Sequence, residues 1–306
     1  MTPFFKISNV VLLMLVANYA AADGKPLTLG VDSAPVLQAW MNPDIGAAWG
    51  SGFKGQGVTL IVVDDFKSKS GYNGNLGSGT QLLRHGEWTL KEASMIATSA
   101  TVKTQDFNSG TAVRLNSGLN VVNLSYAIYL QSGYAANQIR WSSQEKSLIN
   151  DAATGAAIIS KAAGNDSVAV GAANKSGNID YLNLALKGTA SAIYVGALNS
   201  NGSTIKPATL ASYSNMAGND AVVQKQFLTV GVEGSKTGLD GTSFAAPIIS
   251  GYAAILGSKF TNSNSTQITN QLLNTARQDT VSNYSAAVYG RGEASLARAL
   301  APVSIK

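Results

Sequence analysis

Val58-Thr59-Leu60-Ile61-Val62-Val63, followed at once by Asp64-Asp65, is the stretch on which the fold turns. Six uncharged residues rich in β-branched side chains read as a strand. The lack of polar alternation reads as a strand buried on both faces, as in a parallel sheet. Four further runs share this character: Val121-Val122-Asn123-Leu124-Ser125, Ala156-Ala157-Ile158-Ile159-Ser160, Ser191-Ala192-Ile193-Tyr194-Val195-Gly196 and Phe227-Leu228-Thr229-Val230. Between and after them, helical stretches are expected at roughly 86–99, 134–153, 244–258 and 264–277. In the last, Ile268, Leu272 and Ala276 recur at the i, i+4 interval of one helix face. Strands alternating with helices predict an α/β domain, doubly wound around a mostly parallel sheet. No Pro/Ser linker and no fixed-period repeat interrupts the pattern, so one domain is expected over about 35–303.

The 306 residues are 45% apolar, enough for a sizeable core, and only 13% charged, which argues against a disordered tail or a coiled coil. With no Cys there is no disulfide, thiolate zinc site or Cys nucleophile. The single His, His85, excludes any site built on two imidazoles. The net charge of +5 gathers into no basic cluster. Its densest stretch, Lys67-Ser68-Lys69, lies in a Gly/Ser loop, so nucleic acid is not an expected partner.

Residues 1–22 have the make-up of a secretory signal peptide. Lys6 supplies the positive region, Val10 to Ala17 the apolar region, and Ala20-Ala21-Ala22 a small-residue cleavage site before Asp23. The uncharged stretch Ile7–Ala22 is 16 residues, short of the ~20 needed to span a bilayer. The expectation is a cleaved signal, a short extension over 23–34 and a secreted or periplasmic mature chain with no membrane span.

In such a sheet, functional groups gather at the carboxyl ends of strands. Asp64, with Asp65, ends the first apolar run; His85-Gly86 precedes a helix; Gly164-Asn165 follows the third run. Ser243 lies in Gly241-Thr242-Ser243-Phe244-Ala245-Ala246-Pro247, just before an Ala-rich helix. That last segment resembles the serine signature of the subtilisin-like serine proteases, and the order Asp, His, Asn, Ser matches that family. Gly55-Gln56-Gly57-Val58, Asn123-Leu124-Ser125, Ala162-Ala163-Gly164-Asn165, Leu272-Leu273-Asn274-Thr275-Ala276 and Tyr289-Gly290-Arg291-Gly292 look like further family landmarks.

A Ser hydroxyl needs an adjacent base to act as a nucleophile, and His85 is the only imidazole available. An Asp must orient that imidazole and stabilise its cation. Ser243 at a helix N-terminus places unpaired N–H groups near a developing oxyanion. The resemblance implies an endopeptidase with a subtilisin-like fold and an acyl-enzyme intermediate. Asp64, His85 and Ser243 would form its triad, and Asn165 would donate to the oxyanion. Successive strand side chains face opposite ways, so Asp64 and Asp65 cannot both orient His85. Asp64 takes the family's place directly after the strand, and Asp65 is a bystander or a second acidic group facing substrate or an ion. By the same resemblance a polypeptide substrate lies along Ser125, Tyr126 and Ala127, with Ala162, Ala163 and Gly164 walling a roomy apolar pocket. The chemistry needs no cofactor. Calcium stabilises many relatives, but the sequence marks no ligands for it.

The chain departs from the family pattern in several places. Phe66 stands where a small residue is usual, and Glu87-Trp88-Thr89-Leu90-Lys91 replaces the family's residues after His85-Gly86, so a shifted helix could displace the base. Ala127 replaces a common Gly. About forty residues separate the expected cleavage site from Asp64, too few for an inhibitory prosegment, so activity without autoprocessing is expected. Two other readings exist. A peptide-binding pseudoprotease would keep the fold without the chemistry. A penicillin-recognising enzyme would use Ser143-Gln144-Glu145-Lys146, Tyr213-Ser214-Asn215 and Lys236-Thr237-Gly238, although only 23 residues separate Tyr213 from Lys236. No G-x-S-x-G occurs, so an ordinary α/β-hydrolase is not expected.

Overall fold

The computed structural model describes residues 35–305; the expected signal peptide and the 23–34 extension lie outside them. The strands are β1 (Val58–Asp64), β2 (Tyr72–Gly74), β3 (Gln81–Leu83), β4 (Thr101–Asp106), β5 (Leu119–Leu124), β6 (Tyr129–Gln131), β7 (Ile158–Ala162), β8 (Asn178–Asp180), β9 (Ala192–Leu198) and β10 (Phe227–Gly231). The helices are α1 (Pro43–Gly50), α2 (His85–Ile96), α3 (Ser143–Thr154), α4 (Tyr181–Leu186), α5 (Ala221–Gln226), α6 (Gly234–Thr237), α7 (Thr242–Lys259), α8 (Ser265–Asn274), α9 (Ala286–Tyr289) and α10 (Leu296–Leu300).

Six strands form one sheet in the order β10-β9-β7-β5-β1-β4, and every pairing in it is parallel. All five apolar runs are strands of this sheet. The sixth, β4, is the polar edge strand Thr101-Val102-Lys103-Thr104-Gln105-Asp106, which hydrophobic patterning does not single out. The chain winds one way from β1 to β4 and the other way from β5 onward. The reversal opens a crevice at the carboxyl ends of β1 and β5, where α/β sheets bind ligands.

Alternation along β1 sorts its side chains. Val58 and Leu60 face a core shared with α2, α7 and α8, while Ile61 and Val63 face a second core shared with α3 and α4. Asp64 continues the Leu60 side, toward α2 and α7. Helix α7 is apolar nearly all round, the pattern of a helix enclosed by its neighbours; only Ser243 and Lys259 escape full burial. It crosses α2 closely at Gly251, where a Cβ would lie 2.6 Å from Ile96 Cγ2, so only a glycine allows this approach. That contact ties the helix that begins with His85 to the helix that carries Ser243.

The stretch expected to be helical over 134–153 is shorter. A single 3₁₀ turn spans Ala136–Gln138, and α3 starts at Ser143, where Ser142 Oγ accepts from Gln144 N at 3.1 Å. A serine cap satisfying an orphan amide fixes that start.

Candidate active site

Asp64 ends β1 and is 1% exposed. His85 opens α2, and its Nδ1 lies 2.6 Å from Asp64 Oδ1. The other carboxylate oxygen, Oδ2, accepts from Thr89 Oγ1 at 2.8 Å, and Asp65 N donates to Oδ1 at 2.6 Å. Thr89 is one helical turn beyond His85, so the same face of α2 presents both partners to Asp64. Burial disfavours the imidazolium, but the charge and hydrogen bond of Asp64, with a further contribution from Asp65, outweigh it and raise the His85 pKa above 6.5. Of the two aspartates, Asp64 therefore meets His85. Asp65 folds its carboxylate into the following turn, accepting from Ser68 N at 3.0 Å and from Ser68 Oγ.

The unusual residues after His85 seat the helix. Glu87 Oε2 accepts from Arg84 N at 2.8 Å, which holds the backbone amide of the residue before the helix. Trp88 is fully buried, and its Nε1 donates to Tyr72 O at 2.8 Å. Phe66 N donates to Asp106 Oδ2, and Asp65 O accepts from Gly86 N. Helix α2 begins at His85 itself.

Ser243 lies in the first turn of α7, among the amides that have no intrahelical acceptor. Its neighbour Phe244 places a ring 5.6 Å from the imidazole, centroid to centroid, while Tyr72 stands edge-on at 5.7 Å on another side. Ser243 Oγ donates to Ser125 O at 3.2 Å. Ser125 Oγ in turn donates to Ser243 O at 2.8 Å. That second bond has a covalent cause. Pro247 has no N–H, so the carbonyl four residues before it lacks its helical donor, and the Ser125 hydroxyl fills the place.

Asn165 is exposed, just past β7. Its Oδ1 accepts from Thr242 N at 2.8 Å and Thr242 Oγ1 at 2.9 Å, which fixes the amide and assigns Nδ2 to the other side. Gly241 has φ +132°, and a Cβ there would lie 3.3 Å from Asn165 Nδ2. A side chain at 241 would be strained and would crowd that donor.

Ser125, Tyr126 and Ala127 follow β5, and Ala162 ends β7 with Ala163 and Gly164 just past it, at the same edge of the sheet as Asp64. Beside Asn165, Asp166, Asn174, Ser212 and Tyr213 help line a hollow of about 350 Å³. The penicillin-type segments share no hydrogen bond. Lys236 pairs with Glu233 and donates to Ala39 O, whereas Gln144 and Glu145 engage Phe107 O and Tyr126. Among the described residues no group of three or more acidic or imidazole side chains could hold a metal, and no helix is long and apolar enough to cross a membrane.

Sequence reasoning missed Thr89 and Glu92. Thr89 announces itself only by its one-turn spacing from His85. Glu92 is buried 1% exposed on the same helix, and Oε2 has no partner among the described residues; burial raises its pKa well above 4.5.

Several solved structures share the fold. The MycP3 protease from the type VII (ESX-3) secretion system matches with a TM-score of 0.53 at 17% identity, covering 89% of this chain and 90% of that one. MycP1 from the ESX-1 type VII secretion system matches at 0.53 and 18%, covering 88% and 87%. A lanthipeptide protease matches at 0.51 and 16%, covering 79% and 86%. No curated protein matches in sequence. The model of the subtilase family matches residues 71–292, which takes in His85, Asn165 and Ser243 and stops short of Asp64. With well over half of its length so matched, the chain belongs to the subtilase family of serine proteases.

Proposed function

We propose that the chain is an exported endopeptidase that hydrolyses peptide bonds with Ser243 as nucleophile, His85 as base and Asp64 as the group that orients and stabilises the imidazolium. The observation that carries this reading is the 2.6 Å contact between the only imidazole and Asp64. With Nδ1 held there as the N–H tautomer, Nε2 is the nitrogen left to accept a proton.

For the reaction the Ser243 side chain must leave Ser125 O and present Oγ to Nε2. His85 takes the hydroxyl proton as Oγ attacks the substrate carbonyl, forming the tetrahedral oxyanion. The Ser243 amide and Asn165 Nδ2 receive that negative charge at the start of α7. The imidazolium then returns its proton to the leaving amine, leaving an acyl-enzyme that water hydrolyses by the same steps. No metal ion enters the scheme. A polypeptide runs beside Ser125, Tyr126 and Ala127 as an added strand, with Ala162, Ala163 and Gly164 opposite. Export rests on the signal-type make-up of residues 1–22.

A fluorophosphonate probe tests the reading. Labelling of the folded protein that disappears in Ser243→Ala and His85→Ala is the expected result. Folded wild-type protein that takes no label would leave a peptide-binding pseudoprotease in its place.

A further inference from the structure

Behind the walls assigned to the substrate cleft lies an ion pair that this scheme does not use. Lys161 sits in β7 and is 1% exposed, an unusual residue for a strand enclosed on both faces. Its Nζ lies 2.9 Å from Asp180 Oδ2, and Asp180 is nearly as buried. Two charges taken so far out of water gain little net stability from each other, and apolar residues of similar size usually serve a core as well or better. What an ion pair supplies, and an apolar pair does not, is an attraction between two particular groups.

The other bonds of the pair run to the cleft. Lys161 Nζ donates to Ala162 O at 2.6 Å, within the 162–164 wall. Asp180 Oδ1 accepts from Ile128 N at 3.0 Å, the residue directly after the 125–127 wall, and from Leu182 N at 3.1 Å at the start of α4. Ile128 O accepts from Tyr181 N at 2.9 Å, so both polar groups of that peptide position are held. The ladder between β5 and β7 ends at Leu124 and Lys161. Past that point the walls are no longer joined by strand pairing, and the Lys161–Asp180 bridge spans from one to the other. Side-chain amides of Asn183 and Asn215 both donate to Ala163 O, at 3.1 and 3.0 Å, steadying the second wall.

We propose that Lys161 and Asp180 are positioning residues that set the separation of the 125–127 and 162–164 walls and thereby the fit of the substrate side chain between them. The proposal rests on the assignment of those walls to the substrate cleft.

The test uses the whole protein with Lys161→Met, Asp180→Asn and the paired variant. Asp180→Asn keeps an acceptor for Ile128 N and removes the charge. The paired variant leaves no stranded charge. Two readouts separate the roles: labelling of Ser243 by a small phosphofluoridate, which needs the triad, and kcat and KM over peptides that differ only in the side chain before the cleaved bond. Labelling is expected to stay within about threefold of wild type, while KM rises about tenfold or more and discrimination across the series shrinks. The paired variant should do no worse than the singles, since any one change removes the tie. Labelling and peptide turnover falling together would overturn the proposal, as would an unchanged KM series with only a lower melting temperature. A paired variant that does not fold would make the pair a requirement of folding, which also defeats it. Absence of labelling in the wild type is a distinct result, which removes the protease reading and this proposal with it.

Discussion

Asp64→Asn removes one charge from the centre of the site, and the hydrogen bonds around position 64 dictate how the new amide sits. The Oδ1 position receives Asp65 N and faces His85 Nδ1, so it must hold an acceptor; an amide nitrogen there would oppose the Asp65 N–H. The amide nitrogen is therefore driven to the Oδ2 position, opposite Thr89 Oγ1. That hydroxyl also lies 3.2 Å from Gly86 O and can donate there while accepting from the amide. His85 keeps its Nδ1–H tautomer and loses only the countercharge. Two unit charges ~4 Å apart at an effective dielectric constant of ~20 interact by about 4 kcal/mol, or ~10³-fold in kcat. A wrong tautomer would cost more, on the order of 10⁴-fold.

The pH profile tests the loss of the countercharge. In the wild type the neutral imidazole is the base, so kcat/KM falls as pH drops through a pKa that Asp64 holds above 6.5. In Asp64→Asn burial remains and the largest favourable contribution goes, so the acid limb moves to lower pH. The stability of wild-type protein follows the same linkage. A raised folded pKa stabilises the fold below the unfolded value and that contribution is lost as pH rises through the folded pKa. Steady-state kinetics on a peptide substrate from pH 5 to 9 is the assay. A limb that stays in place or moves upward, or a loss in kcat below about tenfold, would refute the reasoning.

Asn165→Ala removes a donor to the oxyanion, and kcat should fall about 10²–10³-fold with KM little changed; a fall in KM-controlled binding alone would point to a turn residue instead. Ser125→Ala strands the Ser243 carbonyl that Pro247 leaves without its helical donor, so thermal denaturation should show a loss of about 1–3 kcal/mol. Glu92 has a folded pKa well above 4.5, so the fold holds its proton where the unfolded chain has lost it. That contribution is present below about pH 4.5 and declines by up to ~1.4 kcal/mol per pH unit as pH rises toward the folded pKa. Glu92→Gln should then flatten the fall in melting temperature on the alkaline side, and an unchanged slope would show that Glu92 does not cause it.

The difference between what was legible and what was not follows from which residues decide each feature. The five inner strands announce themselves because burial on both faces demands unbroken apolar runs, a property of neighbours in the chain. The edge strand β4 meets no such demand on its open side, and its Lys103 and Gln105 interrupt any apolar run. The start of α3 depends on one Ser142 cap, which composition over 134–153 does not weigh. Asp64 could be separated from Asp65 by strand parity only once the direction of the α2 and α7 face was known. Lys161 directly follows the apolar run Ala156–Ser160, but its partner lies 19 residues on, at the end of β8.

The serine segment shows the same division within seven residues. Its letters mark Ser243, yet the partner of the carbonyl that Pro247 leaves open is found just past β5. A proline four residues after the serine leaves one carbonyl without its donor. Ser125, 118 residues earlier, completes that carbonyl and so fastens the cleft wall to the first turn of α7. Read locally, Pro247 is a residue that a helix should avoid. Read across the sheet, it is the residue that lets helix α7 and the segment after β5 share a hydrogen bond.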